Sequence, residues 1–379
     1  MTESISGARG NGPPCIAVIA GTRPEAIKLA PVVHALRRET PFAVRVIGTG
    51  QHRALFDTAA AGSGLAVDGD LDLIRPGQTP AALLARALPT LQDALIAMRP
   101  TRVVVQGDTA SAYAGAVAAS ALGIPVAHVE AGLRTGHLAD PFPEELFRRA
   151  IGRIADLHLA PTMRALEALR AENIAADRIV VTGNSGIDGL MAIRPDRTVA
   201  AALLEQGGAR RPLMLATVRR RESRGERLGQ IIEGLRKTAT ALGGTMLLPL
   251  HPSPALVPLA RHLKAHPGIS IVDPLPHPVI RALLDEADLV LTDSGGLLEE
   301  AATLGVPTVV LRATTERGEA VDAGRAILAT KSDAILRAAR AMLAKGRMPR
   351  SDLFGDGNAG PRIARAIARH MAAKAISPG

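Results

Sequence analysis

Short apolar runs alternate with longer, helically spaced stretches from one end of the chain to the other. Ile16 to Ala20, Ala43 to Gly48, Val103 to Val105, Ile124 to Val129, Asp156 to Ala160 and Arg178 to Val181 form one series. Leu213 to Ala216, Thr245 to Leu250, Ile269 to Val272, Ala287 to Thr292 and Thr308 to Leu311 form a second. Runs this short and this rich in β-branched residues predict strands buried on both faces. The stretches between them predict helices, among them about Pro80 to Met98, one from about Glu144, Thr162 to Glu172, and Pro361 to Ala373 at the end. Strand–helix alternation in both series predicts an α/β fold of two Rossmann-like, doubly wound domains with a cleft between them. Pro31, inside the helix after the first strand, predicts a kink or an early stop.

The punctuation supplies boundaries. Residues 1–14 are polar and rich in Gly and Pro and read as a disordered leader. The first domain is expected over 15–191 and the second over 212–360, with 361–379 crossing back onto the first. Pro195, Gly207, Gly208 and Pro212 mark 192–211 as the linker. A length of 379 residues suits two domains.

Composition narrows the classes. No apolar stretch reaches the roughly 18 unbroken residues of a membrane span, so no membrane partner is expected. One cysteine, Cys15, precludes internal disulfides and fits a cytoplasmic location. The net charge of +9 raises nucleic acid as a partner, but arginine is dispersed, and five Phe, one Tyr and no Trp leave little to stack on bases. The basicity is read instead as a preference for small anions.

Candidate chemistry gathers at predicted strand ends, where an open parallel sheet forms its ligand crevice. Gly107 and Asp108 follow one strand, Glu130 follows the next, and Glu144 begins the helix after Pro143. Carboxylates crowded into one cleft repel unless cations intervene, an arrangement suited to moving protons on and off a substrate. The plainer alternative is that Asp108 caps a helix and Glu144 complements a helix dipole. Arg134 and Arg148 are expected nearby. Arg23 and Lys28 flank another helix start, where free N–H groups favour an anion. Gln51, His52 and Arg53 fall on the same rim.

In the second half, Asp293-Ser294-Gly295-Gly296 opens a helix where a diphosphate could approach backbone N–H groups. Glu299 or Glu300, one turn in, could accept from ribose hydroxyls. Arg312 and Arg317 add charge for an anion, and His251 ends a strand that could face the cleft.

Taken in order, GTRPEAIKLAP, QHR, PGQ, GDT, HVEAGLRTG, PFPEE, TGN, RRES, DSGGLLEEA and TTERGEA resemble the non-hydrolysing UDP-N-acetylglucosamine 2-epimerases, from about Cys15 to FGDGNAGPRIARAI. The resemblance implies a glycosyltransferase-B type fold. It also implies inversion at C2 of UDP-N-acetylglucosamine to UDP-N-acetylmannosamine through elimination of UDP, a 2-acetamidoglucal and re-addition. Neither metal nor other cofactor is implied. Asp108, Glu130 and Glu144 match the family's catalytic acids. Lys28 and Arg148 match sugar or phosphate contacts, and Arg23, Ser294, Gly295, Gly296, Glu300 and Arg317 match nucleotide contacts. Gln51, His52 and Arg53 match a segment that binds a second UDP-N-acetylglucosamine as activator. A homodimer is expected.

Three positions depart from the pattern. Arg219 stands where the family has an active-site His, Ile280 near the position of a base-stacking aromatic, and Phe147 where Asn is usual. Arg219 can still bind phosphate but cannot serve as an acid near neutrality. The competing readings are a hydrolysing variant releasing N-acetylmannosamine and UDP, an epimerase for a related nucleotide sugar, a transferase on the same fold, and an inactive nucleotide-sugar-binding protein.

Overall fold

The computed structural model describes residues 13–50, 60, 62–73, 75, 77–218, 226–250 and 256–376. Two parallel sheets form its framework, as the alternation predicts. The first comprises β1 (Cys15–Ala20), β2 (Ala43–Gly48), β3 (Gly69–Asp70), β4 (Arg102–Gln106), β5 (Val126–Val129), β6 (Leu157–Ala160) and β7 (Ile179–Val181), in the order β3-β2-β1-β4-β5-β6-β7. The second comprises β8 (Leu213–Thr217), β9 (Thr245–Pro249), β10 (Ile269–Val272), β11 (Leu289–Thr292), β12 (Thr308–Val310) and β13 (Ala326–Leu328), in the order β10-β9-β8-β11-β12-β13. Each sheet reverses direction of growth at its middle, between β1 and β4 and between β8 and β11. Those reversals open the crevices where ligands bind in such folds.

Side chains on a strand alternate between faces, and both faces of each sheet are buried. Ile16, Val18 and Ala20 enter one core with Leu29, Val33 and Leu36 of the helix Arg23–Glu39. Ala17 and Ile19 enter the other, with Leu83, Ala87, Leu91 and Leu95 of the helix Pro80–Met98. By length and composition alone that helix could cross a membrane; here its four-residue stripe lies in the core.

Two expectations need correction. Pro31 does not end its helix, which continues to Glu39 because Val32, Val33, Ala35 and Leu36 are all buried beyond it. The segment 192–211 is not mere linker. Asp196 caps a helix, Arg197–Gln206, by accepting from the Val199 N–H at 3.1 Å. Ala200 of that helix is buried in the second domain's core. A cap followed by apolar residues at helical spacing outweighs the flanking Pro and Gly.

The final helix, Ala359–Ile376, places Ile363, Ala364 and Ile367 in the core of the first sheet. Gly360 permits the approach, since a side chain there would meet the Pro31 carbonyl oxygen at 2.6 Å.

Candidate functional site

The loops after β1, β4 and β5 are tied together by side chains that serve two elements at once. Thr22 caps the helix Arg23–Glu39 in a reciprocal capping box with Glu25. The buried Glu25 carboxylate accepts from the N–H groups of Gly21 at 3.1 Å and Thr22 at 2.6 Å. It also accepts from the Thr109 hydroxyl at 2.7 Å. Burial pushes Glu25 above the ordinary carboxylate range, against these hydrogen bonds. Thr109 in turn caps the helix Ala110–Ala121 by accepting from the Ala112 N–H. Asp108 is therefore not the cap.

Asp108 instead holds a guanidinium. Arg148 donates from Nε to Asp108 Oδ2 at 2.9 Å, with a second bond to the same oxygen from a terminal nitrogen. Arg148 is 3% exposed and also donates to Glu145 at 3.1 Å. Burial alone would lower the Arg148 pKa; Asp108, Glu316 and Glu145 outweigh it and raise it.

Glu130, just beyond β5, adopts φ +63°. A left-handed backbone costs a non-glycine residue roughly 1–2 kcal/mol. The strain aims its carboxylate between the sheets, where it accepts from Lys28, from Gln106, from Asn184 at 3.3 Å and from Arg317 at 3.5 Å. Gly107 supplies a left-handed turn at φ +70°, and even a Cβ there would only touch Glu130 Oε2 at 3.4 Å. The Gly107 carbonyl is held by Nε2 of the wholly buried His128 at 2.7 Å. Burial lowers the pKa of His128 to about 4, so its ring is neutral near pH 7.

The second sheet contributes a helix start and cations. Ser294 caps the helix Gly295–Leu304. Arg317 lies directly over Gly295, where a Cβ would come within 2.5 Å of its guanidinium carbon. Gly296 faces open space. Arg317 donates to Glu299 at 2.7 Å, to Glu316 and to Glu130. Burial pushes Glu299 up despite Arg317 and Lys28. Glu300 points elsewhere, accepting from His277 Nε2 at 2.9 Å.

Charges of opposite sign interleave where the loops of the two sheets meet. Lys28 of the first domain lies 3.7 Å from Glu299 of the second, and Arg148 lies 4.0 Å from Glu316. Burial would lower the Lys28 pKa, but Glu130 and Glu299 hold it above its ordinary value. Each crowded acid thus has a cation within reach, Arg148 for Asp108 and Glu316, and Lys28 and Arg317 for Glu130 and Glu299. Further out, Arg164 reaches Asp322 at 2.6 Å and Thr162 donates to Glu319.

Glu144 is half-buried at the first residue of the helix Glu144–Ile154, one turn before Arg148. Arg23 begins the helix that carries Lys28. Arg134 is a correction: both its Nε and a terminal nitrogen donate to Glu172 at 2.8 Å, which commits it outside the network. Gln51, His52, Arg53, Arg219 and His251 lie outside the described residues. Phe147 stacks on Tyr113 with ring centroids 4.9 Å apart. Ile280 packs against the apolar core of the second domain.

Sequence reasoning missed Glu25, Gln106, Asn184 and Glu316. Only Glu25 carried a local signal, the Thr-x-x-Glu spacing of a capping box. Among the described residues, no group of three or more His, Cys, Asp or Glu could hold a metal ion.

The family model described as UDP-N-acetylglucosamine 2-epimerase matches residues 34–368. UDP-N-acetylglucosamine 2-epimerase of Yersinia pestis is 38% identical over 372 residues, covering 94% of this chain and 99% of that one. The crystal structure of UDP-GlcNAc 2-epimerase from Neisseria meningitidis bound to UDP-GlcNAc is similar with a TM-score of 0.85 at 32% identity, covering 94% of this chain and all of the other. The Methanocaldococcus jannaschii enzyme in complex with UDP-GlcNAc and UDP is similar to the same degree, also at 0.85 and 32%, over 94% and 99%.

Proposed function

Because the chain belongs to the UDP-N-acetylglucosamine 2-epimerase family, we propose that it interconverts UDP-N-acetylglucosamine and UDP-N-acetylmannosamine by the non-hydrolysing route. A carboxylate removes the C2 proton, the C1–O bond breaks, and its electron pair leaves on the diphosphate of UDP. The 2-acetamidoglucal stays in the cleft until UDP adds back and a proton returns to the opposite face of C2.

The observation that carries this reading is the meeting of Glu130 with Arg317 and Lys28. A proton acceptor and two cations for a leaving diphosphate lie within one side chain of each other, one cation from each domain. Asp108, held by Arg148, and Glu144, one turn away, supply the remaining proton transfers. General acid–base groups of this kind contribute roughly 10²–10⁴-fold. Arg23, Ser294, Gly295 and Gly296 receive the diphosphate at two helix starts, and Glu300 receives the ribose. The ion pairs between the domains support a closed cleft that retains the intermediate.

Proton NMR of the protein with UDP-N-acetylglucosamine in heavy water tests this directly. We expect deuterium at C2 and accumulation of UDP-N-acetylmannosamine. Free N-acetylmannosamine with UDP would replace the non-hydrolysing reading with a hydrolysing one. No exchange would overturn both.

A further inference from the structure

Outside the ion network, the second domain holds a pair that the reaction does not itself require. His277 is the first residue of the helix His277–Glu286, between Pro276 and Pro278, and its Nε2 lies 2.9 Å from Glu300 Oε1. The two side chains are 13% and 15% exposed. A carboxylate only accepts, so Nε2 carries the proton. The other ring nitrogen, Nδ1, is buried with no hydrogen-bond partner among the described residues. The ring is thus placed by its prolines and by packing, and its one polar contact is spent on Glu300.

That contact matters more here because the domain has few aromatic side chains to orient a nucleoside. From Arg148 to Gly379 the sequence contains one Phe and no Tyr or Trp. That residue, Phe354, is 2% exposed. Ile280, one turn along the helix from His277, is aliphatic and packs into the core. Without such an aromatic face, contacts to the sugar carry a larger share of recognition. The neighbouring acid cannot share the task, because Glu299 is turned to Arg317 and Lys28.

We propose that His277 is a positioning residue for nucleotide specificity: it fixes Glu300 so that the carboxylate accepts from the ribose hydroxyls. The inference rests on the nucleotide reading given above. Its physical content is pre-organisation. A loose glutamate loses rotamer freedom on binding, whereas one already held by a hydrogen bond loses less.

Calorimetric titration of the full chain with UDP and with 2′,3′-dideoxy-UDP tests it. The wild-type protein should prefer UDP. His277→Ala should weaken UDP by about 10-fold, the scale of one hydrogen bond to a charged group, and leave the dideoxy ligand within about twofold. His277→Gln, whose amide nitrogen can replace Nε2, should restore most of the preference. In turnover, His277→Ala should raise KM by about 10-fold with kcat changed less than about threefold, the mark of lost uniform binding. Equal weakening of both ligands, or no restoration by Gln, would overturn the positioning role. A wild-type protein that binds both ligands equally would also overturn it, leaving the nucleotide reading intact. A wild-type protein that binds neither would fault that reading itself.

Discussion

The two sheets share the strand order 3-2-1-4-5-6, with one further edge strand on the first, yet they present different balances of charge at equivalent places. After β4 the first sheet offers Asp108, and after β5 the strained Glu130. At the matching ends of β11 and β12 the second offers Asp293 and a glycine helix start, then Arg312 and Arg317 with Glu316 between them. The strands themselves also differ. β5 and β6 each bury a histidine, His128 beside His158 in register, whereas the six strands of the second sheet contain none. The lesson is that topology fixes where the strand ends meet, while the loops decide which charges each half brings there.

The sharpest way to test this division is to neutralise the first sheet's acids. Glu130→Gln or Asp108→Asn should lower kcat by about 100-fold or more, with far-ultraviolet circular dichroism unchanged. A near-normal rate in both would erase the contrast. Arg317→Ala in the second sheet should act differently, on stability and binding together. It leaves Glu299 and Glu316 buried beside a missing cation, and breaking such a pair costs about 3–5 kcal/mol, measurable by urea denaturation. Adding Glu299→Gln should recover part of that loss.

The smallest expected effect separates the sheets by pH. His128 has a folded pKa of about 4, below the ordinary value of about 6.5. As pH falls below about 6.5 the unfolded chain takes the proton first, so stability declines down to the folded pKa. The full change from this group is roughly 3 kcal/mol. Amide exchange should show the first sheet losing protection before the second between about pH 6.5 and 4. His128→Gln should reduce that dependence and leave the share of its neighbour His158, which burial lowers to about 3.

Much of the fold was legible because buried parallel strands read as apolar runs whatever their partners. What escaped was short or locally weak. β3 is the two residues Gly69 and Asp70, and β13 is Ala326–Leu328; neither has enough length to show a period. The capped helix Arg197–Gln206 hid among residues that usually break structure. At the site, Asp108 and Glu130 were visible as charges at strand ends and Lys28 as a cation beside a helix start. Their pairing was not, since Glu130 meets Arg317 across 187 positions of sequence. The same limit explains the misplacement of Arg134: spacing put it near the acids, but its direction is set by Glu172.

Arg317 is enclosed by Glu130, Glu299 and Glu316 before any ligand arrives. Among the described residues these bonds use three of its five N–H groups, so two remain free to point at an anion. A ligand therefore meets a donor pair already fixed in direction rather than a swinging side chain. The loss of rotamer freedom that a long arginine would suffer on binding is taken during folding instead.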